Sequence, residues 1–169
     1  DQLPAGVTPM AANNNVDIVY HEDRLHLGWR TAPTHFASEV TEMILISSAD
    51  GGLTWDLEHT IALGADVREP RYLSFKGTLH FLFFEGGTNP VAFEPHAIWR
   101  MKRTGLGAWT SLEKVSDGTE VPWDLKVRNG KAYMTSYVGD HYVEGAVLDV
   151  LFKESTDGET WSLVDEQPY

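Results

Sequence analysis

The sequence predicts an all-β chain made of three repeated units, each a sheet of four antiparallel strands. Tryptophans recur along the 169 residues at near-constant intervals of 54 and 52 positions, at Trp55, Trp109 and Trp161. Short apolar runs bounded by glycine, asparagine and aspartate lie between them, the pattern of strands joined by tight turns. No segment has convincing 3.6-residue helical periodicity.

The repeat divides the chain into a leader, residues 1–12, and three units at about 13–64, 65–117 and 118–169. The leader contains proline, glycine and alanine without periodicity. A four-stranded repeat of about fifty residues is typical of β-propeller blades. Because propellers close with at least four blades, we expect half of a six-bladed propeller or a fragment of a larger one.

Each unit begins with a hairpin. The predicted strand pairs are residues 16–20 with 25–30, 70–75 with 79–84, and 123–128 with 131–135. The turn positions Asp23, Gly77 and Gly130 recur at intervals of 54 and 53 residues, independently of the tryptophans. Asn129-Gly130 is among the strongest hairpin signals, since both positions tolerate positive φ.

The second half of each unit contains a loop, a third strand, a tight turn and a short fourth strand. The loops are at about 31–40, 85–95 and 138–147, and the third strands at 42–47, 98–103 and 147–153. The fourth strand begins at the repeated tryptophan. Four antiparallel strands per unit follow from this order.

A serine–aspartate–glycine turn precedes two of the fourth strands. Its residues are Ser48, Asp50, Gly52, Thr54 and Trp55, and then Ser155, Asp157, Gly158, Thr160 and Trp161 with one residue fewer. Residues 104–109 are a degenerate version without the aspartate. The motif resembles the Asp-box of sialidase-type β-propellers. We expect its aspartates to hold their own turn by accepting backbone N–H groups, far from any functional site.

Composition excludes several classes of function. The formal net charge is −12, and no basic stripe exists to neutralise nucleic-acid phosphates or an anionic membrane surface. Cysteine is absent, so neither a disulfide nor a thiolate zinc site is expected. We predict no metal site and no cofactor; the oxygens of residues 13–15 are only a weak Ca²⁺ indication.

The candidate site lies on the first strand of each unit, since these strands line the channel of a propeller. Alignment on the turns places Asp17, Arg71 and Asp124 at one level, with Asn15 and Glu69 beside it. Converging carboxylates raise one another's pKa and provide acid/base pairs. We expect Arg71 to neutralise an aspartate and leave Glu69 free to be protonated.

Arg68-Glu69-Pro70 is similar to the Arg-Asp-Pro motif of five-bladed furanosidases of the invertase and arabinanase type. That resemblance implies one acidic residue on each blade: Asp17, Glu69, and Asp124 or Glu120, as nucleophile or base, transition-state stabiliser and acid. Glutamate replaces the aspartate of the motif, and blade one lacks the usual Asp-Pro. Sialidases instead use an arginine triad, for which Arg30, Arg68 and Arg71 are available.

Substrate contacts are predicted around these carboxylates. The candidates are Asn15, Arg71, Trp123 and the loop histidines His35 and His141, whereas His26 and His80 repeat by register and are expected to pack in the core. Two functions remain open. One is a glycoside hydrolase, extracellular or periplasmic; the other is a non-catalytic module that binds carbohydrate or protein. We expect a homodimer or a missing second half to cover the open faces of blades one and three.

Overall fold

The computed structural model describes residues 3–139 and 143–168 and contains three sheets. The first, blade one, consists of β1 (Ala12–His21), β2 (Arg24–Ala32), β3 (Glu42–Ser48) and β4 (Asp56–Ile61). Blade two consists of β5 (Val67–Phe75), β6 (Thr78–Glu85), β7 (Ala97–Gly105), β8 (Ala108–Trp109) and β9 (Glu113–Asp117). Blade three consists of β10 (Val121–Arg128), β11 (Lys131–Val138), β12 (Asp149–Ser155) and β13 (Ser162–Pro168).

The prediction of three antiparallel blades is confirmed. Strands pair with their sequence neighbours in each sheet, and the described residues form no helix. Blade two differs in one detail, because its fourth strand is split into β8 and β9, which both pair with β7. No helix among the described residues is long and apolar enough to cross a membrane.

The first strands of the blades lie side by side, since β5 contacts both β1 and β10. One core cluster, which includes Met43, Tyr72 and Phe81, fills the space between blades one and two. A second, which includes Leu82 and Met134, fills the space between blades two and three. Blade two is therefore buried on both faces, which explains why the middle of β6 is a continuous apolar run.

Blades one and three each keep an outer face. On blade one, Trp29, Ile44 and Ile46 form a third cluster against which Val7 of the leader packs. The outward side chains of β1 are nevertheless exposed, with Ile18 at 55%. On the outer face of blade three the rings of Tyr133 and Phe152 stack at 5.5 Å.

The serine–aspartate–glycine turns form closed hydrogen-bonded loops. Asp50 Oδ1 accepts the N–H groups of Leu53 and Thr54, both at 2.9 Å, and Asp50 Oδ2 accepts the Thr54 hydroxyl at 2.6 Å. Trp55 donates its indole N–H to the Gly52 carbonyl at 3.1 Å. Asp157 likewise accepts two N–H groups of its own turn. These hydrogen bonds hold the pKa of both carboxyl groups well below the usual range.

Candidate functional site

Each first strand contains a β-bulge at a similar position. The register shifts between Asn14 and Val16, between Arg68 and Arg71, and between Pro122 and Asp124. Asn15 and Glu69 have φ of 47° and 51°, a left-handed conformation that is uncommon for non-glycine residues. Bulges re-aim side chains and are over-represented beside active sites.

We use the term channel-mouth cluster for the residues at or within two positions of these bulges, namely Asn15, Asp17, Glu69, Arg71 and Asp124. Asn15 Nδ2 donates to Glu69 Oε1 at 2.5 Å, and Arg71 Nη2 donates to Glu69 Oε2 at 2.7 Å. Arg71 Nε donates to the Trp123 carbonyl on blade three at 2.5 Å. Hydrogen bonds therefore connect all three first strands.

The predicted partner of Arg71 was wrong. Arg71 forms its ion pair with Glu69, two residues earlier, and does not leave that carboxylate free. The bulge explains the difference, because the left-handed backbone at Glu69 directs its side chain to the same region as Arg71. Both oxygens of Glu69 therefore accept hydrogen bonds.

Asp17 connects the first two blades. Its Oδ1 accepts the N–H of Ile18 at 2.9 Å, and its Oδ2 accepts the N–H of Tyr72 on blade two at 2.6 Å. Burial raises the pKa of Asp17, and the two backbone N–H groups oppose that rise only in part. Blade two has Arg71 where the other blades have aspartate, so Asp17 supplies the acceptor that Tyr72 lacks.

The carboxylates of blade three have different surroundings. Asp124 Oδ1 accepts the N–H of Leu125 at 2.9 Å and an N–H of the Lys126 ammonium at 2.6 Å, and its side chain is about half exposed. Glu120 is buried and accepts hydrogen bonds from Ser136 and Lys153. Asp124 is thus open to a ligand, whereas Glu120 belongs to an internal ion pair.

The other predicted substrate contacts lie in different parts of the structure. Trp123 has an exposed ring, 5.9 Å from that of Tyr137. His35 lies beside the channel-mouth cluster, in a separate cleft of about 260 Å³ between the loops that follow β2 and β6. His141 lies outside the described residues.

The arginines do not form a common triad. Arg30 is completely buried and bonds to Asp66 at 2.8 Å, and Arg68 bonds to the same carboxylate at 2.5 Å. Arg71 belongs to the channel-mouth cluster instead. The sialidase-like alternative for these three residues is therefore wrong, because a buried guanidinium committed to Asp66 is not available to a ligand.

Sequence reasoning missed most of the residues that line the cleft with His35, among them Asp66, Phe36 and Glu94. One feature of the sequence could have identified Asp66. It stands two residues before Arg68 at the start of β5, and alternate residues of an extended chain point to the same side. The described residues contain no group of three or more histidine, cysteine, aspartate or glutamate residues arranged to hold a metal ion.

Comparison with known proteins places the fold. No family model matches the chain, and no curated protein matches it by sequence. Among solved structures, it is similar to the α-L-arabinanase of Penicillium chrysogenum in complex with arabinobiose, at 20% identity and a TM-score of 0.66, over 91% of this chain and 49% of that one.

Two further solved structures show the range of enzymes to which the chain is similar. The Trypanosoma rangeli sialidase with 2,3-difluorosialic acid is 12% identical, with a TM-score of 0.69 over 94% of this chain and 31% of that one. A Bombyx mori family 32 β-fructofuranosidase mutant with sucrose is 13% identical, with a TM-score of 0.58 over 92% and 36%. The fold-level resemblance to sialidase- and furanosidase-type propellers is thus confirmed. The chain spans half or less of the length of these enzymes.

Proposed function

We propose that this chain binds a carbohydrate at the channel-mouth cluster and cleaves a glycosidic bond there. One observation carries the proposal: bulges on adjacent first strands direct Asn15, Glu69 and Arg71 into mutual hydrogen bonds. Two consecutive blades hold a non-glycine residue in a left-handed conformation at this point. Such strain costs of the order of 1–3 kcal/mol per residue and clusters at functional sites.

Each carboxyl group has a proposed role. Asp17, whose pKa is raised by burial, acts as nucleophile or base, since a raised pKa strengthens a carboxylate as a proton acceptor. Glu69, oriented by Asn15 and Arg71, stabilises the positive charge that develops on the sugar ring. Asp124 acts as the acid; we prefer it to Glu120 because its side chain is exposed.

The remaining predicted residues bind the substrate. Asn15 and Arg71 supply donors, and the exposed ring of Trp123 offers a face on which a sugar can stack. His35 and His141 are proposed as further substrate contacts. An extracellular or periplasmic location suits an enzyme that acts on glycans, and we propose it on that ground.

Glu69→Gln tests the proposal. The amide keeps the shape of the side chain but removes its negative charge, so we expect hydrolysis to fall by about 10²-fold or more with little change in melting temperature. Release of sugar from α-arabinofuranosides, β-fructofuranosides and sialosides is the measurement. Glu39→Gln, at an exposed glutamate outside the cluster, is the control. Hydrolysis of none of these glycosides, or full activity of Glu69→Gln, contradicts the proposal.

A second function, carbohydrate binding without catalysis, has one observation in its favour. Every carboxylate oxygen of Asp17 and Glu69 already accepts a hydrogen bond from the protein. Binding that survives in Glu69→Gln, together with no hydrolysis by the unmodified chain, would favour this alternative. A module that binds protein is the remaining alternative.

A further inference from the structure

The cleft that contains His35 is separate from the channel-mouth cluster but adjoins it. Arg68 lines the cleft, and Glu69, the next residue of β5, lies in the cluster. Consecutive Cα atoms are 3.8 Å apart, so one extended ligand can reach both places.

The loop after β2, which forms one wall of the cleft, is anchored by hydrogen bonds from two arginine side chains. Arg30 Nη2 donates to the Phe36 carbonyl at 2.9 Å, and Arg68 Nη2 donates to the His35 carbonyl at 2.7 Å. Asp66 fixes both guanidinium groups. This anchoring pre-organises the loop, which lowers the entropic cost of binding.

The hydrogen bonds also determine which nitrogen of His35 carries the proton. Arg30 only donates, and its Nη1 contacts Asn14 Oδ1 at 3.4 Å, so the Asn14 oxygen faces Arg30. Asn14 Nδ2 therefore donates to His35 Nδ1 at 3.0 Å. In neutral His35 the proton is then on Nε2, which has no acceptor among the residues that the structure describes.

Charge and shape together define the ligand. Arg68 and the buried Arg30 behind the cleft are balanced by Asp66 and by Glu94 on the opposite loop, so these four side chains together have no net charge. Glu94 forms no ion pair with Arg68 among the described residues, which leaves its carboxylate as an acceptor. The exposed side chains of Phe36 (59%) and Val91 (90%) supply apolar surface.

We propose that this cleft is a binding subsite for one neutral sugar unit of a glycan whose neighbouring unit occupies the channel-mouth cluster. Donors, an acceptor and an aromatic ring match the hydroxyl groups and apolar face of a sugar. The volume of about 260 Å³ lies just under the usual 300–1,000 Å³ of ligand pockets, which suits a single unit. The inference that one glycan occupies both the cleft and the channel-mouth cluster rests on the proposed function. The inference that a sugar unit binds in the cleft does not.

Nuclear magnetic resonance of the isotopically labelled chain tests the subsite. Neutral arabinan, fructan, galactan and xylan oligosaccharides are added at millimolar concentration. We expect at least one series to shift the ring signals of Phe36 and His35. Phe36→Ala should weaken that binding tenfold or more, whereas Val40→Ala, an exposed residue of the same loop outside the cleft, should not. The absence of shifts in the cleft from all four series overturns the inference.

The two proposals fail in different ways. Hydrolysis that depends on Glu69 while Phe36→Ala has unchanged KM overturns the subsite and leaves the catalytic proposal intact. Oligosaccharide shifts in the cleft of a chain that hydrolyses nothing support the subsite and contradict catalysis.

Discussion

His26 and His80 are buried histidines whose ionisation affects the whole fold. Both were predicted to pack in the core, and both side chains are buried, with no hydrogen-bond partner within the described residues for either nitrogen of His26 or for His80 Nδ1. Burial lowers the pKa of each to about 4. Nearby Glu58 and Glu159 oppose the shift, and Arg103 and Arg100 add to it.

We expect acid to destabilise the chain through these two residues. The unfolded histidines, with a pKa near 6.5, bind more protons than the folded ones, so stability falls as the pH drops from about 6.5 towards 4. The loss should be of the order of 1–2 kcal/mol per histidine between about pH 7 and about pH 5. Burial raises the pKa of Asp17, which therefore acts in the opposite direction.

Urea denaturation across this pH range measures the effect. The double variant His26→Leu/His80→Leu should have a much flatter dependence on pH, because no neutral imidazole remains to be protonated on unfolding. An equal pH dependence in the variant and the unmodified chain would show that other groups are responsible.

The hairpin between β7 and β8 shows how one blade compensates for a defect in its neighbour. This turn is the degenerate motif that lacks an aspartate. Glu58 of β4 replaces the missing aspartate, because its Oε2 accepts the Gly107 N–H at 2.9 Å. The same buried carboxylate pairs with Arg103 at 3.0 Å and accepts the Ser47 hydroxyl at 2.6 Å.

Glu58→Ala should lower the free energy of unfolding by about 3–5 kcal/mol, the usual effect of removing one partner of a buried ion pair. Arg103 would be left buried with only the exposed carboxylate of Glu22, 3.8 Å away. Asp56→Ala on the same strand is the matched control; its ion pair with Arg24 is partly exposed and should cost less than about 1 kcal/mol. Equal effects of the two substitutions in urea denaturation would contradict this account of the hairpin.

The outer faces of blades one and three are equivalent to the faces through which neighbouring blades pack inside the chain. Asp17 and Asp124 occupy equivalent positions, and Asp17 Oδ2 reaches the backbone of the following blade. No partner of Asp124 Oδ2 exists among residues 3–139 and 143–168. Exposed apolar side chains lie on both outer blades, including Ile18 and Phe152. A fourth first strand beside β10 would complete the pattern.

We predict that the chain self-associates through these faces, because large exposed apolar patches are rare on monomers. A two-fold contact between blade three and blade one of a second chain would close a six-bladed ring. Light scattering should detect a dimer that Ile18→Lys disrupts. Leu106→Lys, equally exposed at 58% but on the β7–β8 hairpin, should have no effect. A stable, soluble monomer contradicts the homodimer, and a missing second half is then the alternative.

The sequence by itself determined the strands, the repeat and the level of the candidate site on the first strands. The constant spacing of Trp55, Trp109 and Trp161 identified the blades, and the turn positions placed Asp17, Arg71 and Asp124 at one level of the first strands. Such features are predictable because turn chemistry and strand alternation act over a few residues.

Only the tertiary structure decided which side chains meet. The pairing of Arg71 with Glu69, the replacement of a missing aspartate by Glu58, and the cleft behind His35 all depend on bulges and on contacts between blades. A bulge changes the direction of a side chain without changing the periodicity of the sequence. The positions of Glu58 and Gly107, 49 residues apart, are related only through the packing of one blade on the next.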